Sequence, residues 1–391
     1  MSSTAPPPKK NWSWRSQAFR GVVYQIVAIA LIGAVVWFLA HNTLANMRIR
    51  GIQSGFDFLA QTAGFDIGEG LYPFDSEESY FRAFLVGVTN TLRVALIGIV
   101  LATALGILLG VGRFSRNALV RGLCVSYVEF FRNIPVLLQL LLWYVVLTEV
   151  FPAASEAWQL GWFYLSKGGL NYPIPVWATG QLWAVYGLLG GWVMAWLYRR
   201  WAHQQFEATG SIRSMIWVPL LIVLLGGVIG WALGGAPTGL NHPVRGEFSI
   251  ENGGALTPEF LAVLLGLTLY TASFIAEVVR GGIASVPRGQ MEAASALGLS
   301  RTQEMRLVML PQALRVIIPP LTNQYLNLTK NSSLAVAIGY PDVVSIANTA
   351  LNQTGRAVEC IAIVMLVYLI TSLGTSLLMN WYNSRAAIKE R

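Results

Sequence analysis

This sequence predicts an all-α polytopic membrane protein with about eight transmembrane helices, and three observations support that reading. Of its 391 residues, 54% are hydrophobic and only 12% charged, about half the charge with which a soluble domain clothes its surface. The apolar residues fall in blocks close to the roughly 20 residues that span a hydrocarbon core as a helix. The basic residues cluster in alternate loops, as they do on the cytoplasmic side of membrane proteins.

Taken in order, residues 1–20 (MSSTAPPPKKNWSWRSQAFR) are polar, Pro-rich and basic, which predicts a short disordered tail. The apolar run from Gly21 to Leu39 exceeds the roughly 7–15 residues of a signal-peptide core and is read as an uncleaved first span. Eight spans are expected near 21–44, 84–112, 123–150, 178–198, 214–234, 258–279, 313–337 and 357–380. In the third, Glu129, Arg132 and Pro135 interrupt the first half. That stretch reads equally as one span or as a short amphipathic helix followed by a span from Ile134.

With the N-terminus inside, the cytoplasmic segments are the tail, 113–122, 199–213, 280–312 and 381–391, which hold 18 of the 27 Lys and Arg when Arg315 is counted with the fourth. Both termini are then cytoplasmic. The segment 46–81, placed outside, carries six acidic residues against Arg48 and Arg50. The stretch 151–257 differs in texture, with two Trp- and Gly-rich spans, and reads as an insertion between two functional blocks. Its Trp158, Trp162, Tyr164, Trp177 and Trp183 are expected as interfacial anchors. The division is therefore 1–20 tail, 21–81 first span and outer loop, 82–150 core, 151–257 insertion, 258–385 core, and 386–391 tail.

The formal net charge of +8 follows from this loop asymmetry and calls for no nucleic-acid partner. Two Cys in apolar stretches and three scattered His suggest neither a disulfide framework nor a metal site.

Residues 285–312 are soluble in character inside this apolar chain. Pro287 favours a helix start, with Ser285 as its expected cap. Gly298 suits the left-handed residue that ends a helix, and Ser300 with Gln303 has capping-box spacing. A second helix is expected to run into Pro311. Two short helices at an angle would form a rigid knob outside the membrane.

Glu292-Ala293-Ala294, Gly298, then Val308, Leu310 and Pro311 resemble the EAA signature of ATP-binding-cassette importer permeases, with Val in place of the usual Ile. The stretches YTASFIAEVVRGGIASVPRGQMEAASALGLS, TNTLRVALIGIVLATALGILLGVGRFSRN, YVEFFRNIPVLLQL and KNSSLAVAIGYPDVVSIAN are similar to the polar amino-acid uptake branch. The first span and the insertion resemble its general L-amino-acid permease subunits. The resemblance implies a type I importer (MetI-like) core whose EAA loop is a cytoplasmic coupling helix, with Glu292, Ala293, Ala294, Gly298, Leu310 and Pro311 in contact with an ATPase dimer. It also implies a second permease chain, identical or homologous, a periplasmic amino-acid-binding protein, and a bacterial inner-membrane location. The chain lacks a G-x-x-x-x-G-K-[ST] phosphate loop, so ATP and Mg belong to the partner ATPase, and no cofactor or catalytic role is expected here.

Ionisable residues at membrane depth are functional candidates by default. Asn323, Asn327, Lys330 and Asn331 fall on one helical face, and Pro319-Pro320 upstream favour a broken helix. This face is expected to line the translocation path, with Lys330 attracting a substrate carboxylate; the alternative is interhelical pairing. Tyr270 and Ser273 would form an opposite wall. Glu277 is expected to pair with Arg280, and Glu129 with Arg132, while Arg93 needs a partner the sequence does not name. An ion-gradient-driven transporter or channel is the competing function; it would need no ATPase.

Overall fold

The computed structural model describes residues 14, 16–49, 54–176, 179–210, 213–247 and 249–386. Most of the expected N-terminal tail, Arg50, Trp177 and residues 387–391 lie outside the described residues.

The first helix, α1 (Gln17–Ile49), starts before the apolar run does. None of its apolar window Phe19–Thr43 is buried, as befits a helix whose solvent is lipid. Next come α2 (Tyr80–Gly112) and α3 (Ala118–Asn133), whose start is capped by Asn117 accepting from the Leu119 N–H at 2.9 Å. α4 (Val136–Val145) extends through a π turn at Val146–Val150. The axes of α3 and α4 differ by 103°, so 123–150 is not one straight helix: α3 is followed after Pro135 by a second, sharply bent helix. Pro135 drives the corner, because the residue before a proline avoids helical geometry, and Ile134 is extended at φ −102. Gln139 fastens it, with Nε2 donating to the carbonyls of Phe131 and Ile134 at 2.9 Å each.

The insertion contains strands that an all-α reading does not foresee. β1 (Trp158–Leu160), β2 (Phe163–Ser166) and β3 (Gly169–Tyr172) precede β4 (Ile174–Pro175). The helical hairpin α5 (Thr179–Thr209) and α6 (Trp217–Leu233) follows, then β5 (Leu240–Asn241), β6 (Val244–Arg245), β7 (Ile250–Glu251) and β8 (Gly254–Leu256). The larger sheet is antiparallel in the order β1-β2-β3-β8, with Leu160 opposite Phe163 and Leu170 opposite Leu256. α5 and α6 meet backbone to backbone. A Cβ on Gly187 would lie 2.1 Å from the Gly226 carbonyl oxygen, and one on Gly230 would lie 2.1 Å from that of Trp183. Only glycine permits this approach, the small-residue packing of membrane helices.

Beyond the insertion are α7 (Pro258–Ala284), capped by Thr257, α8 (Arg288–Ala296) and the short α9 (Arg301–Gln303). A π stretch at Glu304–Met309 leads into α10 (Leu310–Asn331), which tightens to a 3-10 helix at Ser332–Ile338. α11 (Val343–Thr354) and α12 (Ala357–Ala386) complete the chain. Among the described residues α1, α2, α7 and α12 are long and apolar enough to cross a membrane alone; bent pairs raise the number to six. The other two expected spans correspond to α5, whose last third is polar from Arg199 onward, and to α6, which has 17 residues.

The helices group into two compact units. One comprises Met1–Thr91 with Pro341–Gly374. Its core sets Phe58, Tyr80 and Phe84 against Val343, Ile346, Ala350 and Cys360. Buried Arg356 ties down the loop before α2, donating to the Gly55 carbonyl at 2.9 Å and to Asp57 at 3.0 Å. The other unit comprises Leu92–Tyr340 with Thr375–Arg391. α7 is its centre, with 61% of its most apolar window buried, against 39% for α2. It is packed by Val94 and Ala102 of α2, Leu140 of α4, and Ile317 and Leu328 of α10.

Candidate functional site

The soluble loop is built as two helices around one glycine. α8 starts directly after Pro287. Ser285 does not cap it, contrary to expectation; its hydroxyl donates back to the Gly282 carbonyl at 2.8 Å and closes α7 instead. At the other end Gly298 adopts φ +76. That turn lets the Leu299 N–H reach the Ala294 carbonyl at 3.2 Å and the Gly298 N–H reach that of Ser295 at 2.9 Å, satisfying carbonyls a helix end leaves open. Ser300 then starts the next helix with the expected capping box, its N–H donating to Gln303 at 2.9 Å. Ser295 and Glu304 join the two helices by a hydrogen bond.

The second helix does not stop at Pro311. Pro311 sits in the first turn of α10 and the helical path continues. Proline removes an N–H and crowds the carbonyl four residues earlier. The π stretch just before it relieves this by widening the turn, with the Leu310 N–H bonded to Met305 O. Ala294 is buried, whereas Glu292 and Ala293 are exposed. Leu297 is 81% exposed, and Leu307 and Leu310 are also exposed, while Pro311 is half-buried. The loop thus presents carboxylate and apolar side chains together on its surface.

A charge cluster anchors its base. Glu277 on α7 accepts from Arg113, the residue after α2, and from Arg280, with the Arg280 Nε at 3.0 Å. Arg132 lies 3.8 Å from the same carboxylate and over the Phe274 ring. The expected Glu277–Arg280 pair is present, but the expected Glu129–Arg132 pair is not: the α3–α4 corner turns Arg132 towards α7. Arg93 stacks its guanidinium over the Phe260 ring at 4.1 Å, a cation–π contact that no count of carboxylates reveals.

On α10, Asn323, Asn327 and Lys330 are exposed and Asn331 is half-buried. Ile317, Leu321 and Leu328 are buried among the core residues of the unit. None of the four polar side chains takes a hydrogen-bond or ion-pair partner among the described residues. Pro319 and Pro320 do not break the helix as expected; both lie inside α10, since their lost donors are only two of its ladder. Tyr270 is half-buried and packs against Phe274 with the rings tilted by 54° and centroids 4.9 Å apart. Ser273 is fully buried, its hydroxyl donating to the Tyr270 carbonyl at 2.6 Å. That side chain belongs to the packing of α7 and not to an open wall.

A helical core dressed for lipid, carrying one solvated two-helix loop, is the architecture of a membrane permease subunit. Residues 98–387 match the family described as the binding-protein-dependent transport system inner membrane component, and the chain belongs to that family. It has the type I importer fold and is a multi-pass component of an ABC importer. It is 46% identical to the general L-amino acid transport system permease protein AapQ of Rhizobium johnstonii, over 99% of this chain and 98% of that protein. The putative amino-acid ABC transporter permease protein YhdX of Escherichia coli is 44% identical over the full length of both. The glutamate/glutamine/aspartate/asparagine transport system permease protein BztB of Rhodobacter capsulatus is 40% identical, again over both full lengths.

Proposed function

We propose that this chain carries L-amino acids of several classes into a bacterial cell, driven by ATP hydrolysed on a separate ATPase dimer. The observation that carries the reading is the loop: α8, held at a fixed angle by Gly298 and Ser300, with Glu292 and Leu297 at its surface. A rigid helix joined to α10 transmits a push, whereas a flexible linker would absorb it. The ATPases hold ATP and Mg; this chain performs no covalent chemistry. A periplasmic binding protein delivers the amino acid, and a second permease, identical or homologous, supplies the other coupling loop. Both termini then face the cytoplasm with the loop. Broad specificity is supported by the relatives, whose names range from a general L-amino acid permease to one for glutamate, glutamine, aspartate and asparagine.

The α10 face of Asn323, Asn327, Lys330 and Asn331 is the proposed path, Lys330 drawing the carboxylate that every amino acid carries. The deciding experiment is uptake by the reconstituted importer against acidic, neutral and basic amino acids, with and without ATPase and vanadate. ATP-dependent, vanadate-sensitive uptake of several classes is expected. Uptake driven by an ion gradient without the ATPase would establish the competing transporter class.

A further inference from the structure

We propose that the groove between the second half of α5 and the start of α6 holds an anionic phospholipid, its phosphate on Arg199 and its acyl chain along the apolar wall. The groove has a volume of about 380 Å³. Trp192, Ala195, Trp196 and Arg199 line one side, at the i, i+3, i+4, i+7 spacing that puts them on one helical face. Pro219 and Leu220 of α6 line the other. Three apolar positions thus lead along roughly 10 Å of helix to a single cation.

The guanidinium of Arg199 is held at the mouth, its Nε donating to the Met215 carbonyl at 3.2 Å. Its terminal nitrogens remain for a phosphate, which arginine binds as a two-pronged donor. Arg200 leans over the Trp196 ring and Arg213 over the Trp201 ring, so three cations gather at this end of the hairpin. The one carboxylate in residues 179–233 is Glu207, and it faces His203 at 3.5 Å. The end of the groove is therefore positive, without internal neutralisation. A partner helix packed here would leave that charge unmet; a phosphodiester meets it while its chain covers Trp192 and Leu220. A second groove on the hairpin, about 550 Å³ and lined by Trp183, Tyr186, Met194 and Ile222 among others, has no charged residue and so no means of selecting a headgroup.

The test is native mass spectrometry of the full importer purified from membranes and titrated with phosphatidylglycerol or phosphatidylcholine. Wild type is expected to retain phosphatidylglycerol preferentially. Arg199→Gln is expected to weaken that retention about fivefold, the loss of one arginine's attraction to an anionic headgroup, with phosphatidylcholine unchanged. Leu220→Trp, which fills the groove with Arg199 intact, is expected to give the same loss and decides the matter if Arg199→Gln fails to assemble. Met194→Trp, in the uncharged groove, is expected to change nothing. Equal retention of both lipids by wild type, or full phosphatidylglycerol retention in Leu220→Trp, overturns the proposal. So does efficient cross-linking of Leu220→Cys to a partner subunit in native membranes.

Discussion

Glu277 on α7 accepts a hydrogen bond from Arg113, the residue that follows α2. The same carboxylate is shared with Arg280 and approached by Arg132 from α3. One anion thus holds together three cations that would otherwise repel one another, where three helices end beside the soluble loop. Glu277→Gln keeps the shape and removes the charge. It is expected to destabilise the membrane domain by about 1–3 kcal/mol, seen as a lower melting temperature in detergent. Arg113→Lys should cost less, since an ammonium still reaches the carboxylate. An unchanged melting temperature for Glu277→Gln would show the cluster to be decorative.

Gly298 at φ +76 sets the angle between α8 and α9. Valine there faces a penalty of about 1–2 kcal/mol for the left-handed conformation, relieved by opening the turn. Asparagine tolerates that conformation. The expected outcome is that Gly298→Val separates ATP hydrolysis from uptake while Gly298→Asn retains most coupled transport. Paired ATPase and uptake assays read this directly, and equal behaviour of the two variants would remove the angle from the mechanism.

Lys330 is exposed at the end of α10 beside three amides. If it draws the substrate carboxylate, Lys330→Gln abolishes uptake yet leaves ATPase assembly and protein level intact. Normal uptake by Lys330→Gln and Lys330→Ala would eliminate that role.

The α5–α6 hairpin offers an internal comparison. A Cβ on Gly230 collides with backbone at 2.1 Å, whereas one on Gly190 meets nothing within 4 Å. Gly230→Ala is therefore expected to force the helices apart at a cost of about 1–3 kcal/mol; Gly190→Ala is expected to be silent. Limited proteolysis of the hairpin in membranes distinguishes them, and equal cleavage would contradict the close packing.

The long apolar runs and the loop were legible because each rests on local chemistry. A span is a block of apolar residues, and Gly298 or Ser300 with Gln303 signals its own turn. The fates of Pro311, Pro319 and Pro320 were not legible, because neighbouring turns decide whether a helix absorbs a missing donor. Arg93 lies over an aromatic ring and Arg132 crossed to α7, since a corner in the chain chooses long-range partners. The Gly-rich texture of the hairpin was legible, but the close approach of Gly187 and Gly191 to Gly226 and Gly230 was not, because it depends on how the two helices meet. The short strands around it, of two to four residues each, carry too little alternation to announce themselves.

The π stretch at Glu304–Met309 has a consequence for the azimuth of everything beyond it. A π turn amounts to one extra residue in a helix, and each residue of an α-helix turns its successor by about 100°. The direction in which Asn323, Asn327 and Lys330 point is therefore set by a phase offset stored between the loop and α10. Deleting one residue within 304–309 would restore plain α-helix and leave the polar face where it is, whereas winding all six residues as plain α-helix would swing it by about 100°. The same six residues that make room for Pro311 thus determine which surface of α10 carries the proposed path.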